Sequence, residues 1–178
     1  MTDNTNNRRS WMIVSAHDAA ALARCADIKP DVVVLDLEYT VPPKAKAAAR
    51  EGLTAVIQKL ADSQVEVFVR IDRDTRWADV RAAVTRGIRG IVFPGADSTD
   101  EVAEVGELIT AIERERGVEP GATELVLMLE SARGFWNADA IASAKEAYAL
   151  SPSCASSIDS ANTERRMVLG MGLSAANT

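Results

Sequence analysis

The chain has 178 residues, the length of one domain, and a chain of this size can bury enough surface to fold without a disulfide or a metal. Hydrophobic residues make up 47% of it and charged residues 26%, a balance that excludes general disorder. Its formal charge of −6 argues against a nucleic-acid-binding surface and against attraction to an anionic membrane. Because it shows no transmembrane run, no signal-peptide pattern and no metal-like cysteine spacing, we expect a cytoplasmic protein with reduced thiols.

Short apolar runs alternate with helical segments along most of the chain. Polar residues 1–8 are expected to form a disordered arm, residues 9–162 one βα domain, and residues 163–178 an uncertain tail. The predicted elements in chain order are a strand at 11–15, a helix at 18–27, a strand at 32–38, a helix at 44–62, a strand at 65–71, a helix at 75–86, a strand at 88–93, a helix at 99–116, a strand at 125–130, a helix at 137–146 and a weak strand at 147–150.

Capping and breaking residues mark the predicted helix boundaries. Asp18 can cap the first helix, and the prolines at 42–43 suit the start of the second, where a missing N–H costs nothing. Ser98 and Glu101 have the spacing of a capping box, and Gly117 is placed to end the same helix. These signals agree with the apolar periodicity.

The alternation of strands and helices predicts an α/β fold with a parallel sheet. The continuous apolar run at 32–37 supports this, because strands of parallel sheets are buried on both faces. Six strands fit either an open doubly wound sheet or part of a barrel, since a complete (β/α)₈ barrel needs about 250 residues. A nucleotide-binding domain has no support, because the sequence contains neither a G-x-G-x-x-G nor a P-loop motif.

Three of the predicted strands carry a charged residue at the carboxyl end. Glu38 ends the second strand, Arg70 lies near the end of the third, and Glu130 ends the fifth. These ends meet at one edge of a parallel sheet, where active sites of such folds are built. Carboxylates suit Mg²⁺, and arginine binds a substrate carboxylate through two parallel hydrogen bonds. We therefore predict metal-assisted formation or cleavage of a carbon–carbon bond next to a carbonyl.

Each of these residues also has a purely structural interpretation. Glu38 could cap the following helix, and Glu130 could cap the turn after its strand. Arg70 could form an ion pair with Glu38 or Asp72. For Asp36, which lies within an apolar strand, we expect a hydrogen-bonded structural role.

Five short motifs occur in a fixed order between residues 9 and 146. They are Arg9-Ser10, then Asp36-Leu37-Glu38-Tyr39-Thr40-Val41 with Lys46 and Ala49-Arg50, then Val69-Arg70-Ile71-Asp72, then Ile91-Val92-Phe93-Pro94, and finally Leu129-Glu130-Ser131-Ala132-Arg133-Gly134. In this order and spacing the chain resembles the citrate lyase β-subunit-like (CitE-like) branch of the aldolase/citrate lyase superfamily of CoA-ester lyases.

The resemblance implies a (β/α)₈ TIM barrel that uses Mg²⁺ to cleave or form 3-hydroxyacyl-CoA esters of the citryl, malyl or citramalyl type. It implies that Arg70 holds the carboxylate of the keto acid and that Glu130 and Asp159 bind the metal. Arg9 is expected to contact the substrate, and Glu38 to support catalysis through metal-bound water or Arg70. The expected partners are an acyl-CoA, a keto acid such as oxaloacetate, glyoxylate or pyruvate, and further copies of the chain in a homo-oligomer.

The sequence departs from the family pattern at several places. Tyr39 stands in place of an acidic residue, Gly95 in place of a lysine, and residues 153–156 in place of glycines before Asp159. The chain also stops before strands seven and eight, so we expect a C-terminally shortened barrel of about six βα units. Such a barrel exposes strand edges and would have to close differently, associate or be unstable. The alternative to a lyase is therefore a catalytically impaired member that acts as a binding or regulatory partner.

Overall fold

The computed structural model describes residues 8–145 and 149–152. Strands and helices alternate through these residues, as the sequence predicts. The strands are β1 (Trp11–Ser15), β2 (Val32–Asp36), β3 (Glu66–Arg70), β4 (Gly90–Phe93), β5 (Glu124–Leu129) and β6 (Ala149–Pro152). The helices are α1 (Ala19–Ile28), α2 (Lys46–Asp62, preceded by a 3₁₀ turn at Pro43–Ala45), α3 (Arg76–Ala83), α4 (Thr99–Arg116), α5 (Ala132–Trp136) and α6 (Ala138–Ala142).

The six strands form one parallel sheet in which each strand pairs with the next along the chain, in the order β1-β2-β3-β4-β5-β6. A doubly wound sheet would instead reverse its strand order at a switch point. The consecutive order is that of a (β/α)₈ barrel wall. The predicted α/β fold of the TIM-barrel type, with about six βα units, is therefore confirmed.

The sheet is apolar on both faces, which explains the continuous hydrophobic runs. Outer residues such as Leu35, Val69 and Leu127 pack with the helices in the main core. A smaller cluster on the inner face consists of Val32, Val34, Phe68, Val92 and Val126. Because side chains alternate along a strand, Asp36 and Arg70 fall on the inner face, just beyond this cluster at the carboxyl ends of their strands.

Gly90 makes room for the largest side chain of the inner cluster. A Cβ at this position would lie 2.3 Å from Cε1 of Phe68 and 2.7 Å from the carbonyl oxygen of Glu124. Trp11 packs against Phe68, with the two ring centroids 5.1 Å apart. Aromatic side chains therefore fill the interior near the amino ends of the strands and leave its carboxyl end to polar residues.

The predicted helix ends at Asp18, Ser98 and Gly117 are confirmed. Asp18 precedes α1, and its carboxylate accepts two N–H groups of the first turn at 3.0 and 2.9 Å. Ser98 accepts the N–H of Glu101 at 3.3 Å, and Gly117 ends α4 with a φ of 65°. The second half of the expected capping box differs, because the Glu101 carboxylate accepts the N–H of Asp97 at 3.2 Å.

Several predicted boundaries are wrong; for example, the helix predicted at 75–86 ends at Ala83. Two of the differences have a clear local reason. β2 ends at Asp36 because its carboxylate accepts the N–H groups of Glu38 and Thr40, both at 2.9 Å, and so turns the chain. The helix predicted at 137–146 is replaced by the shorter α5 and α6. Ser131 causes this change, because it caps a helix directly after β5 by accepting an N–H of its first turn at 2.9 Å.

Arg8, which we assigned to the disordered arm, is instead held at the amino edge of the sheet. Its Nη1 donates to the carboxylate of Glu124 at 2.7 Å, and its side chain also pairs with Glu66. Its guanidinium lies 5.1 Å from the centroid of the Phe68 ring. Arg8 therefore ties β3 to β5.

Several predictions fall outside the described residues. These are the arm at 1–7, Asp159 and the tail at 163–178, so the domain limits that we predicted stay predictions. Among the described residues, no helix is both long and apolar enough to cross a membrane.

Candidate active site

Arg70 lies at the centre of the polar carboxyl edge. It is the last residue of β3, it is 9% exposed, and Asp36 lies beside it in the register of β2. Its Nε donates to Oδ1 of Asp36 at 2.8 Å and lies 3.5 Å from Oε2 of Glu38. Within the part of the chain that the structure describes, its two terminal amino groups donate no hydrogen bond. The guanidinium is thus fixed at Nε and leaves its other end available to a ligand.

Asp36 fixes both the arginine and the turn that follows β2. It is fully buried, and it accepts the Nε of Arg70 as well as the N–H groups of Glu38 and Thr40. Burial raises the pKa of Asp36, but the hydrogen bond and charge of Arg70, together with the Glu38 amide and the Thr40 side chain, outweigh burial and lower it. The expected structural role of Asp36 is confirmed.

Glu38 reaches the same edge with one oxygen unsatisfied. Its side chain is 18% exposed, and the buried Oε2 has no hydrogen-bond partner in the described structure. Burial, followed by the charges of Glu130, Asp36 and Asp72, raises the pKa of Glu38 to about 7, while Arg70 opposes the rise. Its predicted capping alternative is wrong, because no side chain caps α2.

The loop after β3 is held by residues of α2, and these contacts account for two positions of the second motif. Lys46 forms an ion pair with Asp72, and Nη1 of Arg50 donates to the fully buried Asp79 at 2.8 Å. Asp79 also accepts the N–H of Asp72 at 2.8 Å. Of the two ion pairs considered for Arg70, the one with Asp72 is therefore wrong, and Asp36 is the partner that the prediction missed.

Glu130 follows β5 and is exposed at the mouth of the site. The surrounding protein removes part of its hydration, which raises the pKa of its carboxyl, while Arg70, the Gly95 amide and Arg73 oppose the rise. Ser131, and not Glu130, caps the following helix. The capping alternative is therefore wrong, and the Glu130 carboxylate is left available at the edge.

Arg73 belongs to this edge although we did not single it out. Its guanidinium donates to the carbonyl oxygen of Gly95 and to the carboxylate of Glu101, and Nη2 lies 3.7 Å from Asp97. In the sequence, Arg73 could have been noticed because it follows Arg70 by three residues. Its hydrogen-bond and ion-pair partners, however, belong to the next βα loop and the start of α4. Only the fold brings these residues together.

Tyr39 and Arg9 occupy contrasting positions. Tyr39 is 77% exposed, and the centroid of its ring lies 5.4 Å from the guanidinium carbon of Arg70. Arg9 precedes the amino end of β1, and its N–H donates to Asp31 at 2.9 Å. The structure therefore brings Arg70, Glu38 and Glu130 to one edge and places Arg9 at the opposite one. The predicted substrate contact of Arg9 has no support from this arrangement.

The atoms that could bind a metal at the carboxyl edge are carboxylate oxygens, the ligands that Mg²⁺ prefers. No three His, Cys, Asp or Glu residues are grouped to hold a metal ion within the described residues. Mg²⁺ needs only one or two protein carboxylates, because water and substrate oxygens complete its shell. The exposed Glu130 carboxylate suits a ligand, and the unpartnered Oε2 of Glu38 suits an acceptor for metal-bound water. The residues present therefore fit the ion.

The consecutive parallel strands define a barrel-type α/β protein, with charged side chains gathered at the carboxyl edge of its sheet. Residues 9–153 match the family described as HpcH/HpaI aldolase/citrate lyase, and the chain belongs to this family. It is 31% identical over 142 residues to the citrate lyase subunit beta of Haemophilus influenzae, an alignment that covers 78% of this chain and 49% of that protein. The chain thus spans about half the length of the curated relatives that it matches.

Solved structures show the same fold. Malate synthase of Haloferax volcanii, in a complex with magnesium and glyoxylate, is similar with a TM-score of 0.67 and 18% identity, over 80% of this chain and 50% of that one. The citrate lyase beta subunit of M. tuberculosis, complexed with oxaloacetate and magnesium, is similar with a TM-score of 0.57 and 24% identity, over 82% of this chain and 59% of that one. At these identities the likeness shows the fold alone.

Proposed function

We propose that this chain carries the site of a Mg²⁺-dependent carbon–carbon lyase that cleaves or forms a 3-hydroxyacyl-CoA ester or a related 2-keto-acid aldol adduct. One observation carries the proposal: the buried Arg70 guanidinium is fixed at Nε and offers its terminal amino groups beside two carboxylates. Membership of the aldolase/citrate lyase family supports it. The named ligands of the similar structures, magnesium with glyoxylate or oxaloacetate, agree with it.

Arg70 would bind the carboxylate of the keto acid through two parallel hydrogen bonds. Because Asp36 holds Nε, the guanidinium does not have to reorganise when the substrate arrives, and a preorganised group stabilises charge at less cost. Asp36 already balances the arginine charge. The negative charge of a bound keto acid would therefore need a further positive group at the edge.

Glu130 would hold Mg²⁺ at this edge, with Asp159 as the predicted second ligand. When bound, the ion supplies a Lewis acid that polarises the keto-acid oxygens. The charges of both Arg70 and Glu130 act on Glu38, and its unsatisfied oxygen would orient metal-bound water or the arginine. The aromatic ring of Tyr39 would shield one side of the arginine from water.

A thermal melt of the full chain with Mg²⁺ and oxaloacetate tests the site. Ligand at ~100 times its Kd should raise the stability by about 2.7 kcal/mol, a shift of roughly 5–10 °C for this chain length. We expect Glu130→Gln to lose the shift and Glu104→Gln, on the exposed face of α4, to keep it. A melt unaffected by both ligands, or an unchanged shift in Glu130→Gln, would contradict the proposal. Turnover of citryl-CoA and malyl-CoA then separates the substrates.

Tyr39 favours a second candidate function. An aromatic ring against Arg70, at a position where the family pattern has an acid, suits a member that binds a ligand without turning it over. This binding or regulatory member would show the ligand-dependent melt but no lyase activity. Restored turnover in Tyr39→Asp would support that candidate, and full activity of the wild-type chain would exclude it.

A further inference from the structure

We propose that Arg73 is a positioning residue that clamps Gly95 against the carboxylate of Glu130 and so sets the affinity of this edge for a divalent cation. This inference rests on the proposed function, in which Glu130 holds the cation. It concerns a residue that neither the motifs nor the predicted site included.

The Arg73 side chain bridges two βα loops. It starts in the loop after β3 and donates to the carbonyl oxygen of Gly95 and to Glu101 at the start of α4. Its own carbonyl oxygen accepts Nη1 of Arg76 at 3.0 Å. Glu101, together with Asp97 at 3.7 Å, balances the charge of the guanidinium. Arg73 is thus held at both ends and carries little uncompensated charge.

The side chains of Arg73 and Glu130 both lie close to Gly95. Its φ of +63° lies in the left-handed region, which L side chains rarely adopt. A Cβ at this position would lie 3.1 Å from Nη1 of Arg73 and 3.7 Å from Oε2 of Glu130. Arg73 and Glu130 therefore lie close to the same backbone position, so the placement of Gly95 by Arg73 limits where the Glu130 carboxylate can lie.

The same loop is anchored independently on its other side. The Ser131 hydroxyl donates to the Asp97 carboxylate, and Nδ2 of Asn137 donates to the Asp97 carbonyl oxygen at 2.9 Å. The N–H of Ala96 donates to the carbonyl oxygen of Met128 at 3.0 Å. Loss of Arg73 therefore leaves the loop attached to β5 and α5. The expected effect is a local displacement at Gly95 and Glu130 without unfolding.

Two possible effects of Arg73 on cation binding predict opposite results when the residue is removed: repulsion by its charge, and positioning of Glu130. A cationic side chain that acted only by repulsion would weaken cation binding, so a neutral substitute would strengthen it. A side chain that orients a ligand strengthens binding, and loss of such an outer partner lowers metal affinity by about 10–100-fold. Because two carboxylates already balance the charge of Arg73, we expect the positioning effect to exceed the charge repulsion.

Mn²⁺ binding to the full chain, measured by electron paramagnetic resonance, tests the inference. We expect Arg73→Gln to weaken binding at least tenfold, with Arg73→Lys between Arg73→Gln and the wild type. Gly95→Ala should weaken it as well, since its Cβ would displace the guanidinium. Arg81→Gln is the matched control, because it removes an exposed ion pair with Glu115 on the outer helices. Thermal melts without metal identify any variant that unfolds.

The outcomes separate this inference from the proposed function. Unchanged or tighter Mn²⁺ binding in a folded Arg73→Gln protein would overturn the positioning role alone, provided that Glu130→Gln abolishes binding. Wild-type protein that binds no Mn²⁺, or binding that persists in Glu130→Gln, would overturn both. If Arg73→Gln does not fold, Arg73→Lys and Gly95→Ala decide the question by the same comparison.

Discussion

Replacing Glu38 by glutamine is expected to stabilise the protein above neutral pH and to change its stability little in acid. The folded-state pKa is raised from 4.5 to about 7, so the folded protein binds this proton more tightly than the unfolded chain. Below pH 4.5 the carboxyl is protonated in both states and carries no penalty. Between pH 4.5 and about 7 the unfolded chain ionises while the folded protein keeps the proton, so stability falls until the penalty is complete above pH 7, and glutamine avoids that penalty.

The magnitude follows from the rise in pKa. At about 1.36 kcal/mol per pH unit, the full penalty is about 3 kcal/mol, and partial exposure of the side chain reduces our expectation to about 1–3 kcal/mol. Urea unfolding of the wild type and Glu38→Gln at pH 4.5 and pH 8 measures it, with Glu104→Gln as an exposed control. An equal difference between the two proteins at both pH values, or a less stable variant at pH 8, would refute the reasoning.

Two further predictions concern the residues beneath the site. Asp36→Asn should lower the free energy of unfolding by about 3 kcal/mol in urea titrations, because it leaves the charge of Arg70 buried without its partner. This loss should shrink as the pH falls, since protonation of Asp36 removes the same pair. Gly90→Ala should cost about 1–3 kcal/mol by forcing a Cβ against Phe68, whereas Gly52→Ala, in an open part of α2, should stabilise by about 0.5–1 kcal/mol. Equal melting temperatures for these two alanine variants would contradict the packing argument.

The fold was predictable because each element carries its own signal. The run at 32–37 is apolar without interruption, and Asp18, Ser98 and Gly117 place helix ends by local hydrogen bonding or backbone geometry. Strand order was not contained in these local signals, and two architectures stayed open. Pairing of every strand with its sequence neighbour decided between them.

The site was predictable only where residues share one sheet edge by topology. Arg70 and Glu38 meet because they follow adjacent parallel strands. The contacts of Arg73 depend on where a long side chain reaches in the next loop, and periodicity carries no information about that. The helix predicted at 137–146 is wrong for a similar reason, because the Ser131 side chain caps a helix that begins earlier than the apolar pattern indicates.

The inner apolar cluster has an evolutionary consequence. It separates the ion pair of Arg8 and Glu124 at one end of the sheet from Arg70 and Asp36 at the other, with Phe68 between them. The ion pairs of Arg8, which join β3 to β5, thus lie at the end of the sheet opposite the one that would recognise a ligand. Mutations in the βα loops can therefore change substrate specificity without altering the contacts at the amino ends of the strands. This separation is one reason that the architecture supports so many different reactions.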